Sequence, residues 1–213
     1  MLAGGAATHN RTMADLTAVQ NICGMLDRGE IDRVEFLEQL TRGMAAEIGC
    51  TRAAVRMLVH SESGPALHTM ALFDAVRGEM RRVPEMSDDN AGRYFEALLR
   101  DGTVVAPDVD TTPATAPFIE GYLAPQQVRS LLDVSFSVNG VLYGTFSCEN
   151  VGEPMAWTQQ QVNLLRQISA RASLTLMHAV NAQIDTTPGA LWEPSTPNRL
   201  MTMPMPLDAA KPS

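Results

Sequence analysis

Three cysteines in 213 residues, Cys23, Cys50 and Cys148, are too few and too widely spaced for a disulfide framework or a Cys-x-x-Cys metal pair. A reducing compartment, the cytoplasm, is the expected location. The four histidines, His9, His60, His68 and His178, show no metal-ligand spacing either. No apolar run reaches the 18 residues needed to span a bilayer, so no membrane segment is expected. Residues 1–10 carry neither a basic start nor an apolar block and do not read as a signal peptide. Basic residues are also scarce: 16 Lys and Arg stand against 24 Asp and Glu, a formal net charge of -8. Arg77, Arg81 and Arg82 form the one basic cluster, and Glu79 interrupts it. Nucleic-acid binding needs clustered positive charge and is not expected.

What remains is an ordinary globular composition, 45% hydrophobic and 19% charged, long enough for one domain with its own core. The expected organisation is a flexible start over residues 1–11, a domain over 12–182 and a disordered tail over 183–213. The tail carries six prolines and alternating Met201, Met203 and Met205. Leu16, Val19, Cys23 and Leu26 recur at spacings of three and four, which predicts a helix with one apolar stripe. Asp32 with Glu35 predicts the N-terminus of a second helix, whose stripe is Val34, Leu37, Leu40, Met44 and Ile48 and whose stop is Gly49. Residues 52–59 and 66–73 read as strands around a turn, and 91–100 as a helix ended by Gly102. Thr158 with Gln161 predicts the start of a long last helix.

The sharpest local signal is Asn139-Gly140 between two β-rich runs. A type I′ turn needs positive φ at both central residues, and Asn-Gly supplies it. Counting outward from a two-residue turn puts Leu131, Asp133, Ser135, Leu142, Gly144, Phe146 and Cys148 on one strand face. Leu132, Val134, Phe136, Val138, Val141 and Tyr143 fall on the other, apolar enough to meet helices. A β-bulge would scramble this assignment. The element order predicts an α+β domain, an antiparallel sheet backed by its terminal helices.

The segments Tyr94-Phe95-Glu96-Ala97-Leu98, Pro113 to Pro125 with Phe118 and Tyr122-Leu123, Ser130-Leu131-Leu132-Asp133-Val134, Asn139-Gly140, Cys148-Glu149-Asn150-Val151-Gly152 and Trp157-Thr158 resemble, in their order and spacing, a GAF domain of the bacterial signalling type. The resemblance covers roughly residues 30–180. It implies a six-stranded antiparallel sheet with the terminal helices on one face and, on the other, an irregular segment roofing a small-molecule site. It also implies signal transduction without catalysis, acting through self-association or a separate output protein. One departure is Ser135, where the family commonly has proline.

Under this reading the roof is residues 108–125, and the candidate pocket comprises Phe118, Tyr122, Asp133, Ser135, Phe146 and Cys148. Phe118 and Tyr122 lie four apart, so one helical turn aims both inward, as pocket lining or as plain core. Asp133 either contacts a ligand or accepts hydrogen bonds from a loop backbone. No cofactor is predicted and the ligand is left open. Cys23, Cys50 and Cys148 lie outside the bilin-attachment context of phytochrome GAF domains, and no histidine falls where a haem would need one. The cyclic-nucleotide signature is missing after Phe118. The free methionine sulfoxide reductases of this family need a D-x-D pair and a cysteine just before the hairpin, whereas here the pair reads Ser147-Cys148-Glu149. An enzyme is therefore the lesser alternative, beside a scaffold with a vestigial pocket. Apolar residues in excess of one sheet contact predict a homodimer through the terminal helices, by Leu16, Val19, Cys23, Leu26, Leu164, Leu174 and Met177.

Overall fold

The computed structural model describes residues 7–61, 64–88 and 90–186. The side chain of Leu16, residues 1–6 of the expected flexible start and residues 187–213 of the expected tail lie outside the described residues. The chain runs α1 (Ala7–Asp27), α2 (Arg33–Ile48), β1 (Arg52–Ser61), β2 (Gly64–Asp74), β3 (Glu79–Met80), β4 (Met86–Ser87), α3 (Gly92–Asp101), β5 (Thr103–Ala106), β6 (Val128–Val138), β7 (Val141–Val151) and α4 (Gln159–Thr186). Between β5 and β6 lie a 3₁₀ turn (Ala116–Phe118) and one π turn (Ile119–Leu123). Helix α1 opens at Ala7, within the start expected to be flexible over residues 1–11, and α4 continues to Thr186, past the expected domain end at residue 182.

Local chemistry sets these boundaries. Asp32 caps α2 by accepting the Glu35 amide at 2.8 Å, and Gly49 closes it in the left-handed region at φ 73°. Thr158 and Gln161 form the reciprocal box ahead of α4. The Gln161 amide also donates to the Ile48 carbonyl at 2.7 Å, so one side chain serves both helix ends. Asn139 and Gly140 both take positive φ, and β6 and β7 pair directly around them.

The sheet order is β3-β2-β1-β7-β6-β5, with β4 also on β2, and every pairing is antiparallel. Two of the seven strands are only two residues long. One face packs on α1, α2 and α4 through a core that includes Phe36, Met44, Leu132, Phe136, Phe146, Leu165 and Ile168. The other packs on α3 and the roof through Tyr94, Phe95, Phe118, Tyr122 and Leu131. No helix among the described residues is long and apolar enough to cross a membrane.

Three expectations differ from the structure. Pairing shifts between Phe136 and Ser137: Phe136 faces Gly144 while Ser137 faces Leu142, so Tyr143 is the extra residue of a bulge. Beyond it the parity of β7 inverts. Phe146 and Cys148 therefore join the helix-side core, and Thr145, Ser147 and Glu149 take the roof side. The described side chains of the α1 stripe also pack inside the chain. Val19, Cys23 and Leu164 are buried, Leu26 and Met177 pack partly buried against the same core, and only Leu174 is exposed, at 50%. Burial against α4 and α2 takes Val19, Cys23 and Leu164 out of the expected dimer interface and leaves Leu174, with the partly exposed Leu26 and Met177, on the surface. Val34, expected in the buried stripe of α2, is exposed.

Gly144 sits where β7 crosses closest to β1. A Cβ there would lie 1.9 Å from the Arg56 carbonyl oxygen and 2.9 Å from the Met57 Cα. Both are backbone atoms, so the strands would have to part. Gly144→Ala is expected to destabilise the domain by about 3 kcal/mol, the upper part of the overpacking range, in urea unfolding. An unchanged midpoint would contradict the close crossing.

Candidate functional site

Three strands present a lattice of side chains to the roof. Register aligns Arg52 with Glu149 and Leu131, Ala54 with Ser147 and Asp133, and Arg56 with Thr145 and Ser135. The middle row is small at Ala54 and Ser147. That lets the long Arg56 side chain lie along the sheet and reach Glu149, where its Nη2 pairs with Oε1. Both residues are fully buried.

The roof closes over this pair. Its frame is the Val109 amide on the Arg129 carbonyl at 3.0 Å and the Thr115 hydroxyl on the Val109 carbonyl at 2.7 Å. The π turn then aims Tyr122 inward. Arg56 Nη2 donates to the Tyr122 hydroxyl at 2.7 Å, and that hydroxyl donates to Glu149 Oε1 at 2.8 Å. The guanidinium carbon lies 5.2 Å from the Tyr122 ring centre. Phe118 packs edge-on against Tyr94 at 5.0 Å, and the Tyr94 hydroxyl donates to Asp133 Oδ2. Asp133 thus takes its hydrogen bond from a helix side chain and not from a loop backbone. Ser135 lies at the margin, its backbone amide on the Gly102 carbonyl at 3.0 Å.

Of the expected pocket residues, the structure brings together Phe118, Tyr122 and Asp133, leaves Ser135 at the edge, and places Phe146 and Cys148 on the opposite face. Arg56, Tyr94 and Glu149 were not singled out. Arg56 had a signal: it is the one charge within Ala53-Ala54-Val55-Arg56-Met57-Leu58-Val59, otherwise wholly apolar.

Burial dominates the electrostatics here. It raises the Asp133 carboxyl, against the opposing pull of Arg56 and the hydroxyls of Ser147 and Tyr94. It raises Tyr122 and Tyr94, so both phenols stay protonated. Burial works against the Arg56 charge, but Tyr122, Glu149 and Asp133 outweigh it and hold the guanidinium above its ordinary value. Four fully enclosed atoms, Arg56 Nε and Nη1, Asp133 Oδ1 and Glu149 Oε2, have no hydrogen-bond partner among the described residues. Each such atom costs on the order of 1–3 kcal/mol. A second chain of charge leads away from the site. Arg52 Nη1 lies 4.0 Å from Glu149 Oε2 and donates to the Gln126 carbonyl at the end of the roof at 3.0 Å. Its Nε pairs with Asp74 at 3.0 Å, which Arg81 also meets at 3.3 Å.

The GAF domain family profile matches residues 32–176. The chain belongs to the GAF domain family. Its fold is shared with several solved photoreceptor domains. The blue-light absorbing form of the Thermosynechococcus elongatus PixJ GAF domain aligns with a TM-score of 0.56 at 17% identity, over 84% of this chain and 98% of that one. The Stigmatella aurantiaca phytochrome photosensory core module gives 0.62 at 14% identity, over 87% of this chain but only 40% of that longer one. A far-red absorbing dark state with bound biliverdin IXa gives 0.58 at 14% identity, over 76% and 98%. No curated protein matches the chain in sequence.

This GAF domain does not fit a covalently held bilin. Cys23, Cys50 and Cys148 all lie in the helix-side core, away from the roofed space. Burial, followed by the neighbouring Cys50, pushes the Cys148 thiol well up, so it is an inert thiol and not a nucleophile. The rings of Tyr94, Phe118 and Tyr122, all fully buried, occupy the space beneath the roof.

The site gives two stability expectations. Arg56→Met leaves Glu149 buried without its ion pair and should cost about 3–5 kcal/mol. Asp133→Asn keeps an acceptor for Tyr94 and removes a charge that burial disfavours. The raised carboxyl makes its neutral form the stabilising one, a contribution present at low pH and lost as pH rises through the folded value. The variant should therefore gain stability relative to the wild type as pH rises above the ordinary carboxylate range in thermal melts. A relative loss above that range would contradict the assignment.

Proposed function

We propose that this GAF domain is a signalling module that senses a small polar molecule under the roof formed by residues 108–125, and that it catalyses no reaction. The observation that carries this reading is that four enclosed atoms of Arg56, Asp133 and Glu149, on the roofed face of the sheet, lack a hydrogen bond among the described residues. Buried polar groups are almost always satisfied, and a cluster of exceptions in one place calls for an occupant. The thiols lie on the other face, and the phenols are held protonated. A photosensory role like that of the aligned proteins would need a chromophore held without a thioether.

Occupancy is read out through Tyr122. Its hydroxyl binds the same two groups that a ligand would engage, and its backbone is part of a single π turn, a geometry frequent at functional sites. The output is a separate signalling protein or a second copy of the chain, of the kind cytoplasmic bacterial GAF proteins serve. The scaffold reading, with no ligand at all, draws on the rings that fill the space.

Native mass spectrometry of protein purified from its own host distinguishes the two. The sensor reading expects a small molecule that stays bound under native conditions and disappears in Tyr122→Ala, whose fold is checked by circular dichroism. Wild-type protein that is uniformly free of ligand would favour the scaffold.

A further inference from the structure

We propose that the roofed site takes a free α-amino acid as its zwitterion, with the ligand carboxylate on the Arg56 guanidinium and the ammonium on Asp133. This rests on the reading of the site as a small-molecule sensor and names the chemistry of its ligand. The unpaired atoms are of two kinds. Arg56 Nε and Nη1 are donors, while Asp133 Oδ1 and Glu149 Oε2 are acceptors. Their complement is one molecule that carries acceptors at one end and donors at the other.

The charge tally fixes the net charge of that molecule. With Asp133 ionised, as a ligand ammonium beside it would hold it, the groups at and around the site are three guanidiniums, Arg52, Arg56 and Arg81, and three carboxylates, Asp74, Asp133 and Glu149. Three against three is balanced. A phosphate-bearing ligand or a bare cation would bring an uncompensated charge into a fully enclosed space, which desolvation strongly disfavours. The ligand is therefore net neutral. Between a zwitterion and a neutral amide, the zwitterion makes charge-assisted bonds at both ends, each roughly twice as strong as a neutral one. An ammonium beside Asp133 also offsets the burial cost that the carboxyl bears alone. The buried Tyr94, Phe118 and Tyr122 rings limit the ligand to a small amino acid. Tyr122 is the ring that must yield, because its hydroxyl competes for Arg56 and Glu149.

The test is thermal unfolding of the ligand-stripped full chain with glycine, L-alanine and L-serine, beside acetate, methylammonium and cyclic GMP. Concentration-dependent upward shifts with one or more of the amino acids, and none with acetate, methylammonium or cyclic GMP, are expected. Asp133→Asn, its fold checked by circular dichroism, should weaken the amino-acid affinity about tenfold or more in calorimetry. Stabilisation by cyclic GMP, acetate or methylammonium alone, lost in Tyr122→Ala, would overturn the zwitterion while leaving the sensor reading intact. An amino-acid shift with unchanged affinity in Asp133→Asn would also overturn it, because the ligand would then be bound elsewhere. No shift with any probe, together with ligand-free protein from the native host, would overturn the zwitterion and the sensor reading together.

Discussion

The ion pair between Arg56 and Glu149 governs the roofed half of this domain. Taking both charges out of water is expensive, and a buried pair is tolerated only when its geometry and hydrogen bonds are good. Here the small row at Ala54 and Ser147 lets Arg56 lie flat, and Tyr122 comes down from the roof to share the pair. The roof is thus held shut by polar groups on the sheet as well as by apolar packing. Glu149 also lies within 4.0 Å of Arg52, which holds the exit of the roof at the Gln126 carbonyl. The same chain of charges continues from the pair to the end of the roof and to Asp74.

The two sides of the sheet divide the labour. The helix side is dry and dense, with aromatic and aliphatic side chains from α1, α2 and α4. All three thiols lie there, which removes them from chemistry and from covalent chromophore attachment. The roof side mixes rings with carboxyls, hydroxyls and a guanidinium, the composition of a binding site more than of a load-carrying core.

Much of this was legible from the sequence because it is locally encoded. The Asn139-Gly140 turn, the caps at Asp32, Gly49 and Thr158, and the inward aim of Phe118 and Tyr122 depend on residues within four positions of one another. The failures are non-local. A single extra residue at Tyr143 inverts the strand beyond it, which moved Phe146 and Cys148 to the wrong face. The turn itself gives no sign of that bulge. The stripe of α1 was read correctly as apolar, but periodicity does not say whether the partner is α4 of the same chain or of another. Arg56 and Glu149 are 93 residues apart, and nothing in either neighbourhood announces the other. The Arg56 charge inside an apolar strand was the visible half of the pair.

The central claim is that the enclosed polar atoms around Arg56 belong to a ligand site. A high-resolution crystal structure of protein purified from its own host measures this directly. The account predicts continuous multi-atom density joining Arg56 Nη1 to Asp133 Oδ1, with Tyr122 displaced from Glu149. An isolated ordered water at each unpaired atom, with Tyr122 still on Arg56 and Glu149, would contradict it and leave a closed polar core.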